Sequence, residues 1–443
     1  MPPHIHYVYR IWGGIFFDCF VVLRCLFIND CLKVMMSYRR FLVLFFCFMI
    51  FSLVSFAQKK EMSMAKGYVK SGQNLDKAEQ LMATLLKDSA NRQNFKIWEI
   101  LFSAVKKQYD NVNEQMYLKQ KADTAKLFIS ARKMFEIYES CDSVDAMPDK
   151  KGNVEPKYRK KHADLLSLYR KNLYNGGMFF VKKNNYSEAY SMFDAFIGCS
   201  EQPLFSNYDF VKTDSATIYK AAYMAMYSGY KMQDADKTLK HVQWAMRDTA
   251  SLNLKYQYLS ETFLLKKDTT QYIATLERGF SQFPLSMYYF PRLFNHYFTV
   301  CGNAEKAMQI CDKGLSVDST NMVFLFARSS VLLQEDRYQE CVDICDKLIV
   351  RNDTLADAYL NAGLAFFNQG IKISNDNKLL RTQRSTLQKM YKSALPYLEK
   401  YRKLSPDNVS VWGLPLYTIY LNLNMGKQFE EMDRLLKQEN GKK

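Results

Sequence analysis

The chain has 443 residues and a formal net charge of +16 at pH 7, and 48% of its residues are hydrophobic. This length can bury a large core. A basic balance suits nucleic acid, anionic lipid or an acidic partner, or serves solubility where the charges are dispersed along helix faces. An export signal near the start argues against nucleic acid and favours the other partners.

The segment MSYRRFLVLFFCFMIFSLVSFA, residues 36–57, has the pattern of a secretory signal peptide. It begins with two arginines, continues with an apolar run of 16 residues and ends with small residues at the cleavage-pocket positions. The run is shorter than a spanning helix, which needs about 20 apolar residues. We expect cleavage before Gln58, and the alternative is an uncleaved N-terminal membrane anchor. The protein is therefore expected to be exported, periplasmic or outer-membrane-associated, or else N-terminally membrane-anchored.

Residues 1–35 hold a second apolar run, but Asp18 and Arg24 within it would be costly at membrane depth. We expect that this extension results from a start codon assigned too early and that Met36 is the initiator. The alternative is a hairpin of two membrane segments. The fold prediction therefore begins at residue 58.

Repeated helical patterns follow the signal segment and are clearest from residue 285 to 440. The segments AMQICDKGLSVDSTN, CVDICDKLIVRNDTL and ALPYLEKYRKLSPDN share small and apolar positions, a helix end and a polar turn. Positions that recur at a regular step of about 34 residues indicate an internal repeat of two amphipathic helices. These positions are Ala307 and Cys341, Gly314 and Leu348, and the set Asn295, Ser329 and Gly363.

This period of about 34 residues resembles the tetratricopeptide repeat (TPR). Gly363 and Phe366 match the small and aromatic positions of that family's first helix, and Ala394 matches the small position of the second. Pro406 closes the unit, and Trp412 falls where the next unit has its early bulky residue. The resemblance implies an all-α fold, a superhelical solenoid of about eight stacked antiparallel hairpins, since a lone hairpin cannot bury its apolar face.

Two departures from the period divide the chain. Residues 58–141 are predicted to be N-terminal helical repeats, residues 142–161 a basic loop or linker, and residues 162–443 the main array. Within that array, residues 371–389 are an insertion with five basic side chains. Insertions into repeats lie on one face and often bind partners. The alternative is a longer, solvated helix pair.

The sequence contains no catalytic or metal-binding motif of a known kind. HExxH, GxxxxGK[ST], GxSxG and GxGxxG are missing, and no Cys/His cluster has zinc spacing. His162, His241 and His296 are isolated and are expected at the surface or in a groove. Cys341 and Cys345 point the same way from one helix, so we expect packed free thiols, with a disulfide or a metal site as the alternative. The protein is predicted not to be an enzyme and to need no cofactor.

The predicted function is a protein–protein interaction scaffold of the cell envelope that binds an envelope protein or peptide on its concave face. The alternative is a periplasmic or surface carrier or receptor for peptide or glycan ligands. No nucleic-acid partner is expected, and membrane contact is expected only through an uncleaved N-terminal segment. The candidate partner-binding residues, from the first helices and the insertion, are Tyr289, Arg292, His296, Ser330, Gln334, Asn361, Asn368, Arg381 and Arg384.

Asp followed by Ser or Thr and then a small, apolar or Thr residue occurs eight times, where composition alone would give roughly one. This pattern resembles the O-glycosylation sequon of exported proteins in the Bacteroidetes, which implies modification of the hydroxyl group. The alternative is structural, because Asp-Ser and Asp-Thr are favoured in turns and at helix N-caps. The candidate acceptors are Ser89, Thr124, Ser143, Ser215, Thr249, Thr269, Ser319 and Thr354.

Overall fold

The computed structural model describes residues 58–148 and 151–440 of the chain. Across these ranges the protein is all-α and contains no β-strand, so the predicted fold class of stacked antiparallel hairpins is confirmed. The predicted extension and signal segment at residues 1–57 lie outside the described residues. The chain divides into two compact units, Met1–Ala225 and Met226–Lys443.

The first unit consists of helices in which chain neighbours pack against each other. In chain order they are α1 at residues 58–71, α2 Leu75–Leu85, α3 Phe95–Tyr117, α4 Thr124–Asp145, α5 Arg159–Ser167, α6 Arg170–Lys182, α7 Tyr186–Gly198, α8 Phe210–Thr213 and the first part of α9 Ser215–Lys231. Helix α4 packs against α3 and also against α6, so one hairpin stacks on the next.

A clamp of side chains fixes α5 to α4 across the loop between them. Arg159 donates two hydrogen bonds of 2.8 Å to Asp142, which is buried inside α4. The His162 ring stacks on the Tyr138 ring with 3.7 Å between centroids. The clamp lies at the two ends of the predicted linker at 142–161, which include the end of α4 and the start of α5 in the first unit.

His162 is buried, which differs from the expected surface or groove position. Burial, aided by the charge of Lys161, lowers the pKa of His162 to about 4, although Asp145 and Asp142 act in the opposite direction. The Nδ1 atom of this ring has no hydrogen-bond partner in the described part of the chain. The histidine therefore belongs to the structural clamp in its neutral form.

The second unit continues the pattern of helical hairpins. In chain order it holds the rest of α9, then α10 Ala235–Lys240, α11 Val242–Ala245, α12 Leu252–Leu265, α13 Thr269–Gln282, α14 Phe290–Phe294, α15 Ala304–Val317, α16 Met322–Gln334, α17 Tyr338–Arg351, α18 Ala356–Asn375, α19 Asn377–Thr382, α20 Arg384–Leu404, α21 Val409–Asn422 and α22 Gly426–Asn440. Helix α14 continues directly into a π-helical turn, Asn295–Val300.

Capping side chains explain where many of these helices begin. Asp123, Asp234 and Asp268 each accept a hydrogen bond of 3.0 Å from the backbone N–H three residues further on. Asn185 and Asn303 accept corresponding hydrogen bonds of 3.2 and 2.9 Å at the starts of α7 and α15. Each cap satisfies a donor that the first turn of a helix leaves unpaired. The polar residues between repeats therefore define the helix starts.

Helices of successive hairpins approach closely where a glycine faces an aromatic ring. A Cβ atom on Gly279 of α13 would lie 2.3 Å from the ring of Tyr289, and one on Gly314 of α15 would lie 2.8 Å from the ring of Phe324. In the next hairpin Leu348 on α17 takes the position of Gly314, and Ala358 on α18 takes the position of Phe324. Both side chains are fully buried in one cluster. The Gly–Phe pair and the Leu–Ala pair thus fill similar combined volumes at equivalent positions of two successive repeats.

The π-turn after α14 accommodates one extra residue. At the end of α16 the backbone N–H of Arg337 donates to the carbonyl of Leu332, five residues back. At the end of the π-turn Asn303 donates to Tyr297, six residues back. The expected alignment of Asn295 with the small, buried positions of the repeat is therefore wrong, and this side chain is exposed.

The insertion at 371–389 lengthens a helix pair. Helix α18 continues to Asn375, the short α19 follows, and α20 begins at Arg384. Ile373 and Leu387 are buried in the same apolar cluster, while the five basic side chains of the insertion are exposed. The structure therefore has the longer helix pair with a solvated outer side.

Five of the six cysteines in the described part of the chain are buried, and none of these six forms a disulfide. Cys311, Cys341 and Cys345 are fully buried in the second unit, so the prediction of packed free thiols is confirmed for Cys341 and Cys345. Burial raises the pKa of Cys311 to about 12, which keeps its thiol protonated. Cys301 is exposed and stands apart from the others.

Substitution Gly279→Ala tests the close approach of α13 to Tyr289. The added methyl group overlaps the tyrosine ring, so we expect a loss of about 1–3 kcal/mol in the free energy of unfolding, as for other overpacked cores. The measurement is chemical denaturation followed by far-UV circular dichroism. Gly426→Ala is the matched control, because no heavy atom lies within 4 Å of its new Cβ. Equal midpoints for the two variants would contradict the proposed packing.

Acid should weaken the clamp between α4 and α5 through His162. The folded pKa is about 4 and the ordinary value is 6.5, so the unfolded chain binds the extra proton between these pH values. Stability is therefore complete above pH 6.5 and is lost as the pH falls, by about 2 kcal/mol between pH 7 and pH 5. Amide hydrogen exchange of α5, corrected for intrinsic rates, measures this loss.

The variant His162→Phe keeps a flat ring and cannot take up a proton. In this variant we expect α5 to lose less stability between pH 7 and pH 5, because the contribution of His162 is gone. The control variant His296→Asn, in the second unit, should lose as much stability over this pH range as the parent chain. An unchanged pH dependence in His162→Phe would show that other groups are responsible.

Candidate partner-binding face

The predicted partner-binding residues of the repeat lie on, or directly before, the first helices of three hairpins in the second unit: α14 with its π-turn, α16 and α18. We call the solvent-facing sides of α12, α14 with its π-turn, α16 and α18 the helix-A face. Arg292 and Gln334 are exposed there, and His296, Ser330 and Asn368 are half-buried. Tyr289 and Asn361, expected on the same face, are buried.

Tyr289 is fully buried and unavailable to a partner. Its hydroxyl donates to the backbone oxygen of Asn253 at 2.8 Å and lies 2.7 Å from the Oδ1 atom of that residue. The ring fills the space left by Gly279, as described above. Burial raises the pKa of this tyrosine. The expectation failed because Tyr289 precedes the first helical residue of α14, where the helical register does not apply.

Asn361 is 8% exposed and serves helix packing. Its Nδ2 atom donates to the hydroxyl oxygens of Ser329 and Ser330, each at 3.0 Å. These bonds tie α18 to α16 and occupy Ser330 as well. A buried amide with satisfied hydrogen bonds is costly to remove, so Asn361 is a structural residue rather than a contact for a partner.

Arg292 takes part in a cluster that the sequence did not indicate. The hydroxyl of Tyr288 donates to Glu261 at 2.5 Å and lies 2.8 Å from the hydroxyl of Ser260. The guanidinium group of Arg292 lies 3.9 Å from the centre of the Tyr288 ring and 3.7 Å from the Glu261 carboxylate. Burial and the hydrogen bond to Glu261 raise the pKa of Tyr288. The cluster presents a fixed cation, a carboxylate and an aromatic ring at the surface.

A cleft of about 490 Å³ lies beside this cluster, between α9, α10 and α12. Glu261 belongs to both the cluster and the cleft. Leu264 and Leu265, which are 52% and 53% exposed, form its apolar part. The ring of Tyr230 stacks on Tyr258 with 4.5 Å between centroids. The remaining lining residues are Lys231, Gln233, Ala235, Thr238 and Thr262.

Sequence reasoning missed this cleft because its residues come from three helices. The signal that could have found it is the pair Leu264 and Leu265 directly before the polar turn KKD. Exposing apolar side chains to water is unfavourable, so two adjacent leucines at a polar helix end indicate a surface that contacts another molecule.

Arg381 and Arg384 lie at the end of α19 and the start of α20, and both are exposed. Neither forms an ion pair within residues 58–148 and 151–440. The structure therefore leaves both guanidinium groups accessible. The residues that line the cleft belong to α9, α10, α12 and the turn between α9 and α10, so neither arginine belongs to the cleft.

The predicted glycosylation acceptors are mostly accessible. Six are exposed, and Thr124 and Ser215 are half-buried. Capping by the preceding aspartate accounts for several of the motifs, as at Asp268, which caps α13 directly before Thr269. Ser143 is an exception, because it lies inside α4 rather than at a turn.

Ligands for a metal ion are not clustered among the residues that the structure describes. No group of three or more His, Cys, Asp or Glu side chains there is arranged to hold an ion. Over the same residues, none of the helices combines the length and the apolar character needed to cross a membrane.

Comparisons with known proteins give similarities of low identity. No protein-family model matches the chain, and no curated protein matches it. Among solved structures, the C-terminal part of a TPR repeat-containing protein from Cytophaga hutchinsonii is 14% identical, with a TM-score of 0.37. That likeness covers 58% of this chain and 92% of the other.

Two further solved structures are similar at the same level. A TPR repeats protein from Bacteroides fragilis is 16% identical over 60% of this chain and 98% of its own, with a TM-score of 0.31. The TPR2AB domain of yeast Sti1 in complex with pHSP90 is 15% identical over 73% of this chain and 99% of its own, with a TM-score of 0.29. Because these TM-scores are all below 0.5, the fold is assigned from the helices and contacts of this chain itself.

Proposed function

We propose that the chain is a non-enzymatic scaffold that binds an extended segment of a partner protein on the helix-A face. The observation that carries this proposal is the continuity of the cleft with the Arg292 cluster through Glu261. One surface thereby combines apolar side chains with charged and aromatic groups. Binding sites of this kind fix orientation with a few polar groups and gain affinity from apolar burial.

The chemistry of the surface favours a segment that carries both an apolar and an acidic side chain. Leu264 and Leu265 offer area that a partner side chain removes from water, at about 25 cal/mol per Å². Arg292 is exposed, and its guanidinium group, which already contacts Tyr288 and Glu261, can donate a further charge-assisted hydrogen bond to a carboxylate. The net charge of +16 also favours association with an acidic partner.

The compartment is part of the proposal. The pattern of residues 36–57 supports export, so the partner would be another protein of the cell envelope, met in the periplasm or at the outer membrane. An uncleaved segment would instead hold the scaffold at a membrane by its N-terminus.

A second candidate function is a carrier or receptor for free peptides or glycans. The stacked rings of Tyr230 and Tyr258 beside the cleft favour it, because aromatic faces pack well against flat ligands. This function would need the ligand alone to bind, without a partner protein.

Site-specific photo-cross-linking in the native host tests the scaffold. A photoreactive amino acid replaces Leu265 in the cleft, Arg384 in the insertion or Val350 on α17. Val350 is the matched control, since it is 88% exposed and lies on the second helix of its hairpin. We expect one envelope protein to be attached through position 265 and not through position 350, because only the cleft contacts the partner segment.

The same experiment separates the alternatives. Attachment through position 384 alone would move the binding site to the insertion. Equal attachment at positions 265 and 350 would contradict a defined binding face. No attachment at 265 or 384, together with a melting temperature raised by peptides or glycans, would favour the carrier or receptor.

We also propose that exposed acceptors of the Asp-Ser/Thr motifs at turns and helix starts are glycosylated on export. Thr249, Thr269 and Ser319 are exposed at such positions, whereas Ser143 is exposed but lies inside α4, where the helical backbone is not extended. Peptide mapping by mass spectrometry of protein from the native host should find hexose-containing masses at the first three positions and an unmodified Ser143. Protein made in a host without the modification serves as the control. Identical masses from both hosts would leave the motifs with their capping role alone.

A further inference from the structure

Cys301 is exposed, unlike the other five cysteines in the described ranges. Its Sγ atom lies 3.6 Å from the Nε2 atom of His296, within reach of a hydrogen bond that involves sulfur. The pair lies on the helix-A face. The sequence predicted His296 on this face but did not indicate Cys301. A solvent-exposed thiol in contact with an imidazole differs chemically from the packed thiols of the core.

The π-turn creates this pair. In a regular α-helix, residues five apart point about 140° away from each other. A π-turn has more residues per turn, so residues i and i+5 come to the same side of the helix. The backbone N–H of Cys301 donates to the carbonyl of His296 at 2.9 Å, which is this π-type bond. The extra residue in this repeat therefore has a chemical consequence as well as a structural one.

The surroundings of the pair are polar. Tyr297 donates to Glu277 at 2.5 Å, and Lys306 lies 4.9 Å from the centre of the Tyr297 ring and 3.9 Å from Glu277. Cys301 also lies shortly before the first residue of α15, Ala304. The thiol and the imidazole therefore lie beside charged and hydrogen-bonded side chains rather than in the apolar core.

We propose that Cys301 and His296 form a reactive thiol–imidazole pair that is modified by low-molecular-weight disulfides. The Nε2 atom of His296 accepts the proton of the Cys301 thiol, and the thiolate attacks one sulfur of the disulfide. A new S–S bond forms at Cys301 while the S–S bond of the reagent breaks. The departing thiolate takes the proton from His296, so the products are a mixed disulfide and one free thiol. No net electrons are gained or lost by the pair of reactants.

This modification is independent of the proposed scaffold function, because it requires only the thiol, the imidazole and a disulfide. The position of Cys301 decides where an attached group would lie. A group attached at Cys301 would project from the turn that follows the helix-A face, close to Tyr297 and the start of α15.

The test uses the reduced full-length chain with oxidised glutathione as the probe, at pH 7 and with a chelator present. Peptide mapping by mass spectrometry follows the mixed disulfide at each cysteine over time. We expect rapid modification of Cys301, with the buried cysteines of both units unmodified. The variant His296→Asn removes the proton acceptor and should slow the reaction at Cys301 roughly tenfold.

A matched control separates activation from simple exposure. The double variant Cys301→Ser/Val350→Cys carries an exposed thiol on α17 at a position that is 88% exposed in the parent chain. Its new thiol should react more slowly than Cys301 although it is highly exposed. The proposal is overturned if Cys301 reacts no faster than this control thiol, or if His296→Asn leaves its rate unchanged. Unaltered circular dichroism and melting temperature in each variant show that the fold is kept.

Discussion

The second unit depends on how closely the helices of neighbouring hairpins can approach one another. At Gly279 and Gly314 the missing side chain lets an aromatic ring lie directly against the backbone of a helix. A hairpin alone would expose these rings and the apolar stripes beside them to water. Every later feature, including the cleft and the helix-A face, exists because the hairpins are held in this stack.

The sequence predicted the parts of the fold that repeat. A regular step between equivalent positions, small residues such as Ala307 and Cys341, and polar residues at the turns together indicated stacked hairpins, because each position contributes in the same way to every unit. Packed thiols followed from the same register. These are local and periodic signals, and they do not require knowledge of which helix lies beside which.

The candidate site was predicted less well because it depends on contacts between helices and on a break in the period. Tyr289 and Asn361 were expected at the surface and are buried, since a turn residue and an interhelical amide do not follow helical register. Glu261 and Tyr288 meet only after folding. One extra residue in the π-turn shifted Asn295 outward, which the regular spacing could not indicate.

At one junction between helices the small Gly314 faces the large Phe324, and at the next junction the larger Leu348 corresponds to the glycine and the small Ala358 to the phenylalanine. This difference makes the order of the hairpins along the chain matter for packing. If two hairpins traded places in the chain, a leucine could face an aromatic ring at one junction and a glycine could face an alanine at another. The first junction would be overfilled and the second would contain a void. The side-chain volumes at each junction therefore fit the hairpin that follows it in the chain, which favours the native order of stacking over other pairings of these similar repeats.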